Sequence, residues 1–420
     1  MDHFPLTDDT VILGLLCVCL GFVFLTSSIK TGFWNKFYKV IPTLLMCYML
    51  PAVLTSIGLI SEESSNLYYI ASRYLLPAAL ILMTLSIDLK AIMNLGSKAL
   101  IMFLTGTVGI IIGGPIAILI VSIFSPETVG GAGFDAVWRG LATIAGSWIG
   151  GGANQAAMLE VFEYNPANFG GMVLIDIVVA NIWMAIILLG VGKTDRIDRW
   201  LKADTSSIDT LKAKVSAHTA KIARITSLQD FVVLTCLAFA GVGLAHFLGF
   251  HFSDFLESNF EMIRNKEKAL SSLGSEFLWM VVFATTIGIL LSFTKAKSFE
   301  GAGASKIGGL FIYILVATIG MKMDLGKVLE NPGLILIGVI WISIHAGLLI
   351  LVAKLIKAPF FFLAVGSQAN VGGAASAPIV AAEFHPSLTS VGILLAVLGY
   401  VVGTAGAYIC GLLMEIASKV

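Results

Sequence analysis

The sequence predicts an all-α polytopic membrane protein: about ten transmembrane helices and two re-entrant hairpins, arranged as two inverted repeats. Three observations lead there. Hydrophobic residues make up 57% of the 420 positions and charged residues 12%, roughly half the charged share of a soluble domain. Uninterrupted apolar runs recur along the chain, and about 18 to 20 such residues suffice for a helix to cross a bilayer. Two further apolar runs are broken by polar, glycine-rich stretches of like composition, "GSWIGGGANQAAM" at 146–158 and "GSQANVGGAASAP" at 366–378.

The first span, 10–27, follows Asp2, Asp8 and Asp9, with no Lys or Arg before it. A cleaved leader carries a positive amino-terminal region, so 10–27 reads as a retained helix. Spans at 38–60 and 69–87 follow, the second ending at Asp88-Leu89. The span 98–124 contains "GIIIGGP" at 109–115, small residues that let membrane helices touch. The first interrupted segment covers 137–162, and the fifth span 168–192. The polar stretch 193–228 reads as a solvated cytoplasmic linker. Spans at 229–249, 274–294, 306–322 and 332–353 repeat the order, with 250–273 as a surface helix or loop and Asp324-Leu325 after the third. The second interrupted segment, 359–382, precedes a last span at 387–414. Cys17, Cys19, Cys47, Cys236 and Cys410 fall in apolar runs without metal-ligand spacing and read as buried, inert thiols.

The halves 1–192 and 229–420 look like a duplication. A shift of 220 positions lays Gly146, Ser147, Gly152 and Ala157 on Gly366, Ser367, Gly372 and Ala377. The same shift lays Glu163 and Pro166 on Glu383 and Pro386. Each half holds four spans, an interrupted segment, Glu-x-x-Pro and a fifth span. Five crossings is an odd number. The second half therefore inserts upside down if both interrupted segments leave on the side they entered. That topology, with both termini outside, places most of the 26 Lys and Arg in cytoplasmic loops, as positive residues prefer.

A hairpin tip at membrane depth exposes backbone groups that lipid cannot satisfy. Such backbone survives only inside protein or around a wet cavity. Gly146, Gly151, Gly152, Gly366 and Gly372 permit a tight tip. Ser147, Asn154, Gln155, Ser367, Gln368, Asn370 and Ser376 supply donors and acceptors. These are the candidate substrate-binding residues, with Thr404 and Tyr400 of the last span lining the site. The short helices after each tip aim their positive ends at it. Asp176 stands deep within a span, where an ionisable side chain is expensive and marks function by default. It is the candidate coupling residue, as a proton carrier or as a Na⁺ ligand beside Asn181. Glu160, at the mouth of the first hairpin, is a further candidate. His345, alone in an apolar span, reads as structurally satisfied.

Enzyme motifs are missing. "GVGKTD" at 190–195 has Ile187 where a phosphate loop needs its first glycine. "GSWIG" is not a nucleophile elbow. The sequence therefore predicts no enzyme and no cofactor beyond Na⁺ or H⁺ as coupling ion. The net charge is zero, which gives no reason for a nucleic-acid partner.

On the two glycine-rich runs, the Glu-x-x-Pro echoes and the Asp-Leu span ends, the whole chain resembles the bacterial and plastid membrane family known as domain of unknown function 819. More distantly, its plan is similar to sodium:glutamate symporters and 2-hydroxycarboxylate carriers, with five spans and a glycine-rich re-entrant loop in each inverted half. The resemblance implies a fixed scaffold and a transport domain that moves like an elevator. It implies substrate held between Gly146–Gln155 and Gly366–Ser376, a homodimer through the fixed spans, and a place in the bacterial inner membrane. Neither fifth span has an arginine to clamp a carboxylate, which argues against a di- or tricarboxylate.

The expected function is secondary active transport of a small polar, anionic or zwitterionic solute (an amino acid, short peptide or cell-wall fragment) by alternating access. The alternative is a passive channel or holin-like pore. One cysteine tests the topology. Placed at Ser206, it is expected to react with a membrane-impermeant maleimide only from the cytoplasm; labelling of intact cells from outside would overturn the orientation.

Overall fold

The computed structural model describes residues 5–61, 65–205, 208, 226–264, 269–329 and 331–419. Ser206 and the middle of the linker 193–228 lie outside them. The described chain is helical throughout, with one isolated bridge between Leu6 and Ile60. Eight helices are long and apolar enough to cross a membrane, or up to ten if each of two bent pairs is one span.

Helix α1 (Asp9–Ser27) is capped by Asp8, whose carboxylate accepts from the Val11 and Thr10 N–H groups. Those bonds hold its carboxyl below the usual range. The run expected as one span at 38–60 is two helices, α2 (Gly32–Val40) and α3 (Thr43–Ser56). Pro42 separates them, since it has no N–H to continue a helix. Helix α4 (Leu67–Leu85) holds a π turn at Ala71–Leu75. The Arg73 carbonyl in that turn is met at 2.8 Å by the His246 ring nitrogen. Helix α5 (Ser97–Ser122) follows, then α6 (Val137–Gly150), α7 (Gly152–Val161), α8 (Phe169–Val191) and a short α9 (Thr194–Leu201).

The second half repeats the order: α10 (Leu228–Asn259), α11 (Glu276–Ser292), α12 (Ala304–Met321), α13 (Gly333–Leu355), α14 (Phe360–Val371), α15 (Gly373–Phe384) and α16 (Thr389–Ala417). The 3-10 turns Pro166–Asn168 and Pro386–Leu388 also recur at the 220-residue shift. One expectation needs correction: α10 runs ten residues past 249. Phe252 packs edge-on against Trp279 of α11 at 4.3 Å, and the Ser253 hydroxyl donates to the Gly274 carbonyl at 2.5 Å. Tertiary contact carries this polar stretch as helix. A second correction concerns the thiols: Cys47 and Cys410 are buried, but Cys17 and Cys236 are exposed on the bundle's surface.

Packing divides the helices by their place in each half, not by the halves themselves. Helices α1, α3, α4, α10, α11 and α12 pack mainly on one another. Helices α5, α6, α7, α8, α13, α14, α15 and α16 form the second group. Each half thus contributes its first three spans to one group and the remainder to the other. Thr55 of α3 donates to the Met321 carbonyl of α12 in the first group. Trp341 of α13 donates to the Ile110 carbonyl of α5 in the second.

Loops gather at two ends. At one, Lys98 pairs with Asp204, Lys297 with Asp88, and the Phe360 N–H donates to Asp198. At the other, Ser65 donates to Asp9, and Asn165 and Asn168 both donate to Asp135. Helix α8 runs between the ends, about 35 Å for its 23 residues.

Close helix contact in lipid rests on small residues. A Cβ on Gly320 would come within 2.3 Å of the Tyr48 carbonyl of α3, whereas one on Gly309 of the same helix would meet nothing within 4 Å. Gly320→Leu is expected to cost about 1–3 kcal/mol through overpacking, and Gly309→Leu little or nothing. Thermal unfolding midpoints of the detergent-purified variants check the pair.

Candidate functional site

Both interrupted segments fold back on themselves. Along a straight helix, residues eight apart lie about 12 Å from each other. A Cβ on Gly146 would lie 2.5 Å from the carbonyl oxygen of Asn154. Ser376 donates to Gln368 at 2.7 Å, again eight residues away. The arms close at their mouths through rings, Trp138 on Phe162 at 5.4 Å and Phe361 on Phe384 at 5.3 Å. The first mouth lies at the Asp135 end and the second at the Lys98 end. Gly151 (φ +77°) and Gly373 (φ +53°) make the turns, in the left-handed region that suits glycine.

The tips converge on α16. A Cβ on Gly399 would come 2.7 Å from the Ile149 carbonyl of the first hairpin and 3.5 Å from the Ala369 carbonyl of the second. Any larger residue there would push the hairpins off α16.

Most polar side chains of the two runs hold the hairpins in place. Asn154 donates to Gly150 O, and its Oδ1 accepts from Thr404 of α16 at 2.7 Å. Asn370 donates to Gly366 O and Phe103 O, and its Oδ1 accepts from Thr107 of α5 at 2.7 Å. Each hairpin is thereby tied to a helix of the other half. Ser367 accepts from the Trp183 indole at 2.7 Å and meets His345 Nε2 at 2.8 Å, while His345 Nδ1 meets the Gly106 carbonyl at 2.9 Å. A carbonyl only accepts, so Nδ1 carries the hydrogen and Nε2 accepts from the Ser367 hydroxyl. That relay is complete, and His345 is satisfied structurally. Gly146 and Gly366 serve close packing, the latter against the α5 backbone at Phe103.

Asp176 is 7% exposed and clips both arms of the first hairpin to α8. Its Oδ1 accepts from the Trp148 indole of α6 at 2.7 Å, and its Oδ2 from the Gln155 amide of α7 at 3.0 Å. The Ser147 side chain also faces it. Asn181 does not join it. Five residues on, it points about 140° round the helix, is exposed, and donates to the Ile177 carbonyl of its own helix. Glu160 is apart as well, at the mouth of the first hairpin.

Among the described residues, three buried polar atoms have no partner: the Gln368 Nε2 amide, the Tyr48 hydroxyl and Arg139 Nε of α6. Gln368 is fully buried in the last turn of α14 and bonded to Ser376 in the first turn of α15, where Ala374 and Ala375 are exposed and a Cβ on Gly373 would meet nothing within 4 Å. On the first tip, a Cβ on Gly151 would lie 3.5 Å from the Tyr400 ring and one on Gly152 3.9 Å from Ile312 of α12, ordinary contact distances. A cavity of about 410 Å³ lies not at the tips but at the first mouth, lined by Tyr68, Asp135, Glu160, Glu163 and Tyr164.

Sequence reading missed Arg73. It pairs with Glu160 at 2.7 Å across the two groups, from α4 to α7, and its guanidinium lies 4.3 Å from the Phe277 ring. A charge inside the apolar span 69–87 was the available signal.

Long apolar helices and interrupted segments packed at their centre define an integral membrane protein, with surfaces made for a bilayer. The chain belongs to the family described as protein of unknown function DUF819, whose model matches residues 14–416. It is also 24% identical over 399 residues to the uncharacterized membrane protein YjcL of Bacillus subtilis (strain 168), a match covering 92% of this chain and 93% of that one.

The Asn154–Thr404 bond invites a double-mutant cycle. Asn154→Leu and Thr404→Val are expected to couple by about 0.6 kcal/mol and at most about 1.7, the range for buried bonds between membrane helices. Unfolding of the two single variants and the double variant measures it; additivity would mean that the contact holds nothing.

Proposed function

We propose that the protein is a secondary active transporter that works by alternating access. The observation that carries this reading is the meeting of two broken, glycine-turned hairpins from opposite ends, beside a buried amide with no partner. Non-helical backbone within a membrane protein is tolerated around a solvated site. Packed interfaces between such hairpins are where carriers bind solute. In this reading the two hairpins are re-entrant and the two halves are inverted repeats. The Lys98 end is cytoplasmic, as its basic loops suggest, and the membrane is a bacterial inner membrane.

The division of the helices supports an elevator movement. The α5–α8 and α13–α16 group carries both hairpins and would slide along the α1–α4 and α10–α12 group, which would also hold a second copy in a dimer. Helix α7 is sealed, with Ala153 through Leu159 buried, whereas α15 leaves Ala374, Ala375, Ile379 and Glu383 exposed. That asymmetry fits a pocket open toward the cytoplasmic end. The Arg73–Glu160 pair would hold the outer end closed.

The solute is small and polar. Gln368 Nε2 and the first N–H groups of α15 offer donors without a cationic clamp, which suits an anionic or zwitterionic group. Amino acids, short peptides and cell-wall fragments fit this description. Transport, and not enzymatic turnover, is the expected activity, with Na⁺ or H⁺ as coupling ion.

Uptake by proteoliposomes from a mixture of these solutes, with and without ion gradients, tests the proposal. Accumulation against a gradient is expected. Ohmic current without accumulation would establish a pore instead, and conversion of solute in detergent an enzyme. Gln368→Met is expected to lower uptake at least tenfold while leaving the thermal midpoint equal or higher. An unpaired buried donor costs roughly 1–3 kcal/mol and a typical hydrogen bond contributes about 0.5–1.5 kcal/mol, so removing the donor offsets loss of the Ser376–Gln368 bond.

A further inference from the structure

We propose that the coupling ion binds at Asp176 and that it is a proton, not Na⁺. The inference rests on the carrier reading above and deepens it by naming the ion and its seat.

The atoms facing the carboxylate decide between the two ions. Oδ1 faces the Trp148 indole N–H and Oδ2 the Gln155 amide N–H. Both present hydrogens with positive partial charge. Indole nitrogen has no acceptor to offer a cation, and hard cations require a shell of oxygen ligands. Na⁺ at this carboxylate would have to gather further oxygens, whereas the two side chains bonded to it present N–H groups. The oxygen that sequence reading supplied, Asn181, is turned away and bonded within its own helix. A proton needs no shell. It adds directly to a carboxylate oxygen.

Every element packed round Asp176 fits this assignment. Helix α6 supplies Trp148 and Ser147, and α7 supplies Gln155. Helix α3 supplies the Tyr48 hydroxyl, buried, without a partner and within electrostatic reach of the carboxylate. From α13, Trp341 packs on Trp148 at 4.9 Å, and His345 is engaged by Gly106 and Ser367. Ser367 of α14 is engaged by Trp183 and His345. Lys327 and Asp135 line the cavity beside Gly171 and Ile175, toward the start of α8.

The step balances simply. Hydronium on one side breaks an O–H bond and leaves water, and its proton forms an O–H bond at Oδ2 that neutralises the carboxylate; on the other side water takes the proton back as hydronium. The oxygen that accepted from Gln155 becomes a donor. A neutral hydroxyl oxygen is a weaker acceptor than a carboxylate oxygen, so Gln155 loosens its hold or turns its amide end for end to offer Oε1. One proton therefore changes the tie between α8 and α7, the arm that carries the first tip. Charge on Asp176 and the grip on the hairpin are the same variable.

Trp148 reports the event because its indole donates to the titrating group. The test uses the purified full-length protein in lipid nanodiscs. Emission of the wild type minus that of Trp148→Phe is followed across pH in choline chloride and again in sodium chloride. The expected result is one pH transition, alike in both salts and lost in Asp176→Asn. A transition that survives in Asp176→Asn, or none in the wild type, would overturn the proposal. So would a signal that follows Na⁺ at fixed pH and vanishes in Asp176→Asn. Should Asp176→Asn fail to fold, infrared difference spectra of the wild type and Asp176→Glu decide. A protonated-carboxyl band at acid pH that changes frequency in Asp176→Glu supports the assignment; an unchanged or absent band refutes it. No transported solute is involved, so these outcomes are separate from failure of the carrier reading, which would appear as no accumulation of any solute under any gradient.

Discussion

A helix that stops partway across a bilayer leaves N–H and C=O groups with no partner, and hydrocarbon offers none. This chain stops twice, at Gly151 and Gly373. The rest of the molecule accommodates those stops. Helix α16 presents Gly399 so that both tips can approach its backbone. Asparagines behind each tip reach into the opposite half, Asn154 to Thr404 and Asn370 to Thr107. The carboxylate of Asp176 gathers one donor from each arm of the first hairpin. Buried polar groups in low dielectric are costly unless paired, so these side chains form ties before they form a site.

That division of labour narrows the site. Of the amides and hydroxyls in the two runs, Asn154, Asn370 and Ser367 are engaged by the framework. Gln155 is engaged by Asp176. Gln368 keeps an unpartnered donor beside exposed Ala374 and Ala375. An orphan donor in a native fold calls for an explanation, and a solute that completes it is the one adopted here. The two hairpins are similar in build and unlike in surroundings: α7 is enclosed between the groups, and α15 is open along one side. Two runs of like composition thus have one enclosed and one open flank.

Much of this was legible in the residues. Apolar run length marked the spans, because crossing hydrocarbon imposes a minimum length on any helix. Gly-rich runs in apolar surroundings marked the breaks, and Asp176 announced itself by its depth. The limits of legibility are equally physical. Residues 250–259 are polar, and only Trp279 and Gly274 opposite them show why they stay helical. Arg73 sits in an apolar span that looks ordinary until Glu160, Phe277 and the π turn are brought round it. Asn181 looked like a partner for Asp176 by nearness in sequence. Helical phase puts it on another face.

The sequence by itself determined the membrane, the order of the apolar helices, the two breaks and the family. Each follows from local composition and spacing, which the bilayer reads residue by residue. Tertiary structure alone decided which helices pack together, which polar side chains are engaged and that Gln368 keeps an unpartnered amide. Those outcomes depend on contacts between residues far apart in the chain, such as 73 with 160 and 154 with 404, and local pattern carries no record of them.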